Sequence, residues 1–435
     1  MPKFRYPLKP LEHMMATQFA DASIPGTFSP VTKNVKVYQH GVRKRWGYTS
    51  DRDLTAPVYN TVCYQTAIGN RYTLYLTDAD LAMRQTGTNE TFSYLTERYT
   101  TGHVSNITDA TPSVVTGNGT TWSTNVAAGD KFILTADQSA NIEPDAQWAT
   151  VASATDTSIT LTGHYAGTHG AISDPNDHYI VRKVYSVPSN ERWSCTAVDY
   201  NFIFTNGNTN VQYYNYLTAA GYAQEVNATY ASKARYCTSF ADRLVLADLY
   251  SGGLRNPLLV AYSANTNCLQ FDSGTDATAG TFELLETEDY ITGLGRCGSM
   301  LGVFKRDSIT FYERSGDSTS PIRRYSISTG IGSSAPYSIV EVLGTVVFLG
   351  KDDFYLINGN NPEPMGEGMR YKFYDIVGET EAGNTWGFVN PVENEVVWIA
   401  STSEGKYAFV WDYKYKEWYL YQLPVDITGA GTGAV

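Results

Sequence analysis

Side chains able to do acid–base, metal or phosphate chemistry fall in a few places along this chain. Asp78 and Asp80 in "TDADL", Asp307 in "KRDSI", Asp352 and Asp353 in "KDDFYLING" and Glu404 in "TSEGK" are carboxylates between short apolar runs. A hydrolase would need two of them, or a nucleophile and a base, to converge on one point. In a tight turn, however, Asp serves the turn's own hydrogen bonds, and that is the expected role of each. Of six histidines, His164, His169 and His178 lie close in sequence with Asp177. These four could gather around a metal, but their spacing fits no standard zinc pattern, so they read as surface histidines and neither metal nor cofactor is expected. No GxSxG elbow, P-loop or dinucleotide fingerprint occurs, and no catalytic residue is assigned. The asparagine and glycine turns "NGNTN" and "NGNNPEPMGEG" read as ordinary turns rather than calcium loops.

One basic cluster stands out. "GVRKRWGYTS" carries Arg43, Lys44 and Arg45 in a chain of net charge −12. Three cations neutralise too few phosphates to hold nucleic acid tightly at physiological salt. As a strand, the stretch sends Arg43 and Arg45 to one face and Val42, Lys44 and Trp46 to the other. The cluster is thus a candidate contact for DNA or for an acidic partner, with a structural strand as the simpler account.

The elements that must position these groups are strands. Thirty-three tyrosines and 37 glycines in 435 residues, with 17% charged residues, suit half-buried strands and tight turns. A short apolar strand, a polar turn and a second aromatic strand recur at Arg71–Gln85, Asn201–Asn215, Arg243–Ser263, Leu301–Arg314, Thr345–Asn360 and Glu395–Asp412. The last four copies start at intervals of roughly 45 to 60 residues, the size of a four-stranded propeller blade, and each copy would be a blade's middle hairpin. Helical periodicity is almost absent. The predicted fold is an all-β propeller of about six blades.

The rhythm breaks between the first two copies. The Thr-, Gly- and Ala-rich stretch at 101–185, with strands expected at "GDKFIL", "DAQWATVASA" and "SITLTGHY", reads as a small inserted β-barrel or sandwich-like domain. The expected organisation is an extended arm at 1–30, propeller at 31–100, the insertion, propeller again at 186–425 and a flexible tail at 426–435. The five cysteines are scattered and lack CxxC spacing, so they read as reduced, mostly buried thiols. No signal peptide or membrane-spanning run is evident, and synthesis in a cytoplasm is expected.

Several stretches resemble the tail nozzle (tail hub) proteins of short-tailed bacteriophages. "NVKVYQHGVRKRWGYTS" is similar to their N-terminal signature, with Trp46 where proline is usual. "SFADRLVLADLYSGGLRNPLLVAYSANTNCLQFD", "ITGLGRCGSMLGVFKRDSITFYERSGDS" and "STGIGSSAPYSIVEVLGTVVFLGKDDFYLING" resemble the family's propeller core, and "GFVNPVENEVVWIASTSEGKYAFVWDYKYKEWYLY" its final blade. The likeness covers roughly Asn34 to Tyr48 and Ser239 to Leu423.

The resemblance implies a non-enzymatic virion protein in the phage tail. Such proteins form a homo-oligomeric ring, usually hexameric, below the portal and head–tail adaptor, with tail fibre or needle proteins nearby and genomic DNA passing through the lumen. The acidic charge fits, because a wall that repels DNA lets it slide. Two other readings stand beside it: a propeller glycosidase or lyase using the turn carboxylates, and a propeller that binds glycan through exposed aromatics.

Overall fold

The computed structural model describes residues 35–38, 41–44, 57–65, 71–85, 93–136, 138, 148–173, 177–188, 190–215, 217, 221–226, 232–317 and 320–423. The expected arm at 1–30 and tail at 426–435 lie outside them. Within them the fold is an all-β, six-bladed propeller with an inserted β domain.

Each blade is four antiparallel strands hydrogen-bonded in chain order. Blade 1 is Val58–Gln65, Arg71–Thr77, Leu81–Gln85 and Ser93–Tyr94, and blade 2 is Ser194–Val198, Asn201–Thr205, Gln212–Asn215 and Gln224–Glu225. Blade 3 comprises Lys233–Phe240, Arg243–Ser251, Leu254–Tyr262 and Gly280–Glu283, and blade 4 Ile291–Cys297, Met300–Lys305, Ser308–Arg314 and Ile322–Thr329. Blade 5 runs through Val340–Val342, Thr345–Leu349, Phe354–Asn358 and Asn361–Pro364. Blade 6 runs through Trp386–Asn390, Glu395–Thr402, Gly405–Asp412 and Glu417–Gln422. Every recurring sequence pattern supplies the second and third strands of one blade. Those middle strands are apolar on both sides because both faces of a blade are covered. Asn201–Thr205 and Gly405–Asp412 show it, with little or no polar face left in the middle of the strand.

The chain divides into two compact units, residues 56–227 and a second made mainly of 228–432. In the larger unit the first strands of blades 3, 4, 5 and 6 lie beside one another in succession. Its core holds Trp398, Phe354, Phe373, Phe409 and Trp418 in mutual ring contact. A 13-residue helix, Arg370–Ala382, packs on the Glu395–Thr402 strand. The sequence hid this helix: it has no side-chain N-cap, only Phe373, Val377 and Ala382 are buried, and Gly378 kinks it at φ 74°. A single alternating strand across "FVWDYKYKEWYLY" would place Val410, Asp412, Lys414 and Lys416 on one face, but the stretch is broken by a turn. Tyr413 to Lys416 form a turn whose Lys414 and Tyr415 N–H groups donate to Asp412 Oδ1, both at 3.0 Å.

In the smaller unit, blades 1 and 2 share a core of Leu74, Leu76, Trp193, Phe202 and Phe204. Between these blades the chain builds an eight-stranded sheet from Arg98–Tyr99 to Tyr179–Arg182, so the ordered module starts slightly before residue 101. In spatial order its strands are Gly170–Ala171, His103–Ile107, Val114–Asn118, Ser158–Leu161, Ala149–Ala154, Lys131–Leu134, Tyr179–Arg182 and Arg98–Tyr99. The sheet curls around one core: Val104 and Val181, from opposite ends of that order, belong to a single cluster with Trp122 and Phe132. Val104 N–H donates to Asp177 O at 2.8 Å, which draws the ends toward a barrel. Trp122 is fully buried and its indole N–H donates to Tyr179 Oη at 2.8 Å. The cysteines are free: Cys237, Cys268 and Cys297 are buried, Cys195 is half-buried and Cys63 is exposed.

Candidate functional site

The turn carboxylates are bound to the blades that carry them. Asp353 is buried, accepts the Phe354 N–H at 2.7 Å and pairs with Arg370 Nη1 at 3.2 Å, fixing the start of the helix. Burial raises its carboxyl above the ordinary value and these partners oppose the rise. Asp352 accepts the Tyr355 hydroxyl at 2.8 Å. Asp80 faces Thr96 Oγ1 and Arg182 Nη1, both at 3.4 Å, tying blade 1 to the inserted domain; burial raises it too, with Asp78 adding like charge. Glu404 is exposed, and its N–H donates to Thr402 Oγ1 at 3.2 Å. Asp307 is exposed, and its N–H donates to Asp289 Oδ2 at 2.8 Å.

Sequence reasoning passed over the groups beside Asp307. Lys305 is fully buried, and its ammonium donates to Leu284 O at 2.9 Å, Thr287 O at 3.0 Å and Thr287 Oγ1 at 2.8 Å, with Asp289 at 3.4 Å. Burial works against the Asp289 carboxylate, yet Thr287, the Asp307 N–H and Lys305 together hold it below its ordinary value. A groove of about 420 Å³ beside this cluster is lined by Asp289, Tyr290, Arg306 and Asp307. A second, of about 380 Å³, is lined by Asp242, Arg243, Arg314 and Asp317, and there Arg314 pairs with Asp242 at 2.8 Å. Both interleave opposite charges, which suits neither a polyanion nor a pair of carboxylates poised around a scissile bond.

At the root of the insertion, Glu97 is largely enclosed. Burial, and next the Glu225 carboxylate, push its carboxyl up to about 7. A folded-state value above the unfolded one means that protonation favours the fold, so this contribution is complete below about pH 4.5 and is lost as the pH rises through 7. Replacing Glu97 with Gln, which can keep a hydrogen bond to Gln212, is expected to remove that slope. The variant should be more stable than the parent at pH 8, by on the order of 2 kcal/mol, and equal to it near pH 4.5. Melting curves across this range check the prediction, and parallel curves for parent and variant contradict it.

The histidines do gather, but not as one group. His164, His169, Asp177 and His178, which read as surface groups in the sequence, are divided by the sheet register between two clusters. Asp109, His164 and His169 form one, and His103, Asp177 and His178 the other. They stand at opposite ends of the His103–Ile107 strand, roughly 20 Å apart at strand rise. In the first, His164 Nε2 lies 2.8 Å from Asp109 Oδ1 and the two imidazoles are 4.7 Å apart, center to center. The His164 hydrogen bond and the nearby His169 hold the Asp109 carboxyl below its usual value. In the second, Asp177 bridges His178 Nδ1 at 2.9 Å and His103 Nδ1 at 3.3 Å. His103 and Asp109, which lie far from the other members in sequence, complete the two clusters.

Of the basic stretch, Arg43 and Lys44 belong to the strand Gly41–Lys44, paired antiparallel with Val35–Tyr38 so that Arg43 stands opposite Lys36 and Lys44 opposite Val35. Arg45 lies outside the described residues. The Val35–Tyr38 strand runs beside Glu417–Gln422 of blade 6.

No protein-family model matches the sequence, and no curated protein matches it. Solved structures match it at low similarity. A putative exported protein from Bacteroides fragilis is 12% identical over 53% of this chain and 70% of its own, at a TM-score of 0.33. Virginiamycin B lyase from Staphylococcus aureus is 10% identical over 80% and 94%, at 0.33, and BamB from Moraxella catarrhalis 10% identical over 83% and 82%, at 0.31.

Proposed function

We propose that this chain is a structural protein of a phage tail, the ring-forming nozzle or hub below the portal and adaptor, through which DNA leaves the capsid. The observation that carries the reading is the engagement of the carboxylates. The turn and turn-flanking acids, buried Asp80, Asp353 and Asp412 and half-buried Asp289, each take part in hydrogen bonds or ion pairs that hold the surrounding loops and strands. They hold a scaffold. The resemblance of the blade sequences to nozzle proteins supports the same reading, as does the charge: six copies carry roughly seventy negative charges. Such a conduit repels the DNA it passes instead of binding it. On this reading Arg43, Lys44 and Arg45 contact the adaptor or the DNA, the first two from a strand beside blade 6, and the protein resides in the virion tail.

Among the described residues no helix is long and apolar enough to cross a membrane. The reading is tested by native mass spectrometry of the purified protein together with imaging of particles. A ring of about six copies, or density at the distal end of a tail, is the expected result. A stable monomer absent from particles overturns it. Cleavage of a polysaccharide that is lost on changing Asp289 to Asn also overturns it, in favour of a glycan-degrading propeller.

A further inference from the structure

We propose that Asp109, His164 and His169 form a binding site for a divalent transition metal of the zinc class, which clasps the edge strand Gly170–Ala171 to the inserted sheet. The inference is independent of the virion reading.

Two imidazoles and one carboxylate form a donor set suited to zinc and its neighbours, with a water completing a tetrahedron. One donor atom from each residue lies within 4.8 Å of the other two. Zinc bonds of about 2.0–2.1 Å place tetrahedral donors roughly 3.3 Å apart, so side-chain rotation by about an ångström closes the site. Asp109 and His164 are exposed and free to make that movement.

The backbone beneath them is held in place. Gly163 O accepts the Ser113 N–H at 3.1 Å and Tyr165 N–H donates to Ser113 Oγ at 3.0 Å, so His164 is fixed on both sides. Gly170 pairs with Ile107, and antiparallel register therefore brings His169 and Asp109 to the same end of that pairing. His169 Nε2 is enclosed and has no hydrogen-bond partner among the described residues. An imidazole nitrogen sheltered from water and bonded to nothing is costly unless something accepts its lone pair or its proton.

The site lies where the sheet needs support. Gly170–Ala171 is the edge strand, two residues long and exposed, paired with its neighbour through Gly170 with Ile107 and Ala171 with Asn106, and followed by Ile172, whose N–H donates to Ser105 O at 2.9 Å. A metal joining the residue before this strand to the residue two beyond its partner would fasten it at one end.

The test uses the full-length protein, stripped with a chelator and then titrated with zinc by calorimetry and with cobalt by visible absorption. Hydrogen exchange is followed over residues 163–172. The expected result is a cobalt spectrum of low-symmetry N/O coordination and slower exchange in that segment when zinc is present. His164→Ala and His169→Ala should each weaken zinc binding at this site at least tenfold, and Asp109→Asn, which can keep the hydrogen bond to His164, should do the same without unfolding the loop. The double change His103→Ala with His178→Ala removes the other cluster and should leave both readouts intact. Zinc binding unchanged by Asp109→Asn and His164→Ala overturns the proposal. So does binding that disappears only with His103 and His178, or zinc that leaves exchange over 163–172 unaltered.

Discussion

Replacing Lys305 with methionine is expected to destabilise the protein by about 3–5 kcal/mol. Methionine keeps most of the apolar stem but deletes the ammonium. The carbonyls of Leu284 and Thr287 lose their donor, and Asp289 loses its counter-charge beside a side chain that is fully buried. Such a pair contributes little relative to an apolar substitute of equal shape, yet removing one partner strands the other. The double variant Lys305→Met with Asp289→Asn should therefore recover part of the loss, which a double-mutant cycle by urea denaturation measures. A loss below about 1 kcal/mol for the single variant would mean that the ammonium is not desolvated as its surroundings indicate.

The second large effect lies in blade 6. Trp398→Ala should cost about 3–5 kcal/mol, because the indole is fully buried against Phe354, at 4.9 Å between ring centers, and Trp418, at 5.6 Å. Its N–H also donates to Ser338 O at 2.9 Å, in the turn that leads into blade 5. Gly387, directly opposite in the register, leaves the room: a Cβ there would come 2.8 Å from the indole Cδ1. Trp398→Phe separates the terms, since it restores most of the ring but not the donor. It should recover more than half of the loss, as read from denaturation midpoints. Equal losses for both variants would assign the effect to the hydrogen bond alone.

How much of this was legible in the sequence depended on whether a feature was local. The middle hairpins were legible because their two strands and turn are contiguous: "MLGVFK" and "SITFYER" are separated only by Arg306 and Asp307. Outer blade strands such as Ser93–Tyr94 and Gln224–Glu225 are two residues long and give no pattern at all. The helix at Arg370 was hidden because its start is secured by Asp353, 17 residues earlier, instead of by a cap of its own. The histidine clusters were half legible. His164 and His169 were visible as neighbours, whereas Asp109 is 55 residues from His164 and reaches it only through the register of the curled sheet. Asp289 failed to draw notice for the same reason, since its partner Lys305 arrives from the next strand but one.

The inserted domain leaves and rejoins its host at one spot. Its first and last strands are cross-strand neighbours, with Tyr99 opposite Val181 and Arg98 opposite Arg182, so the two attachment points are about 5 Å apart. To the blades on either side, some eighty residues of folded protein therefore look like a hairpin loop, and the entropy of bringing the ends together is met within the module itself. A cassette mounted in this way can be exchanged by recombination without disturbing the register of its neighbours. Lineages descended from one propeller are thus free to carry different modules at this socket.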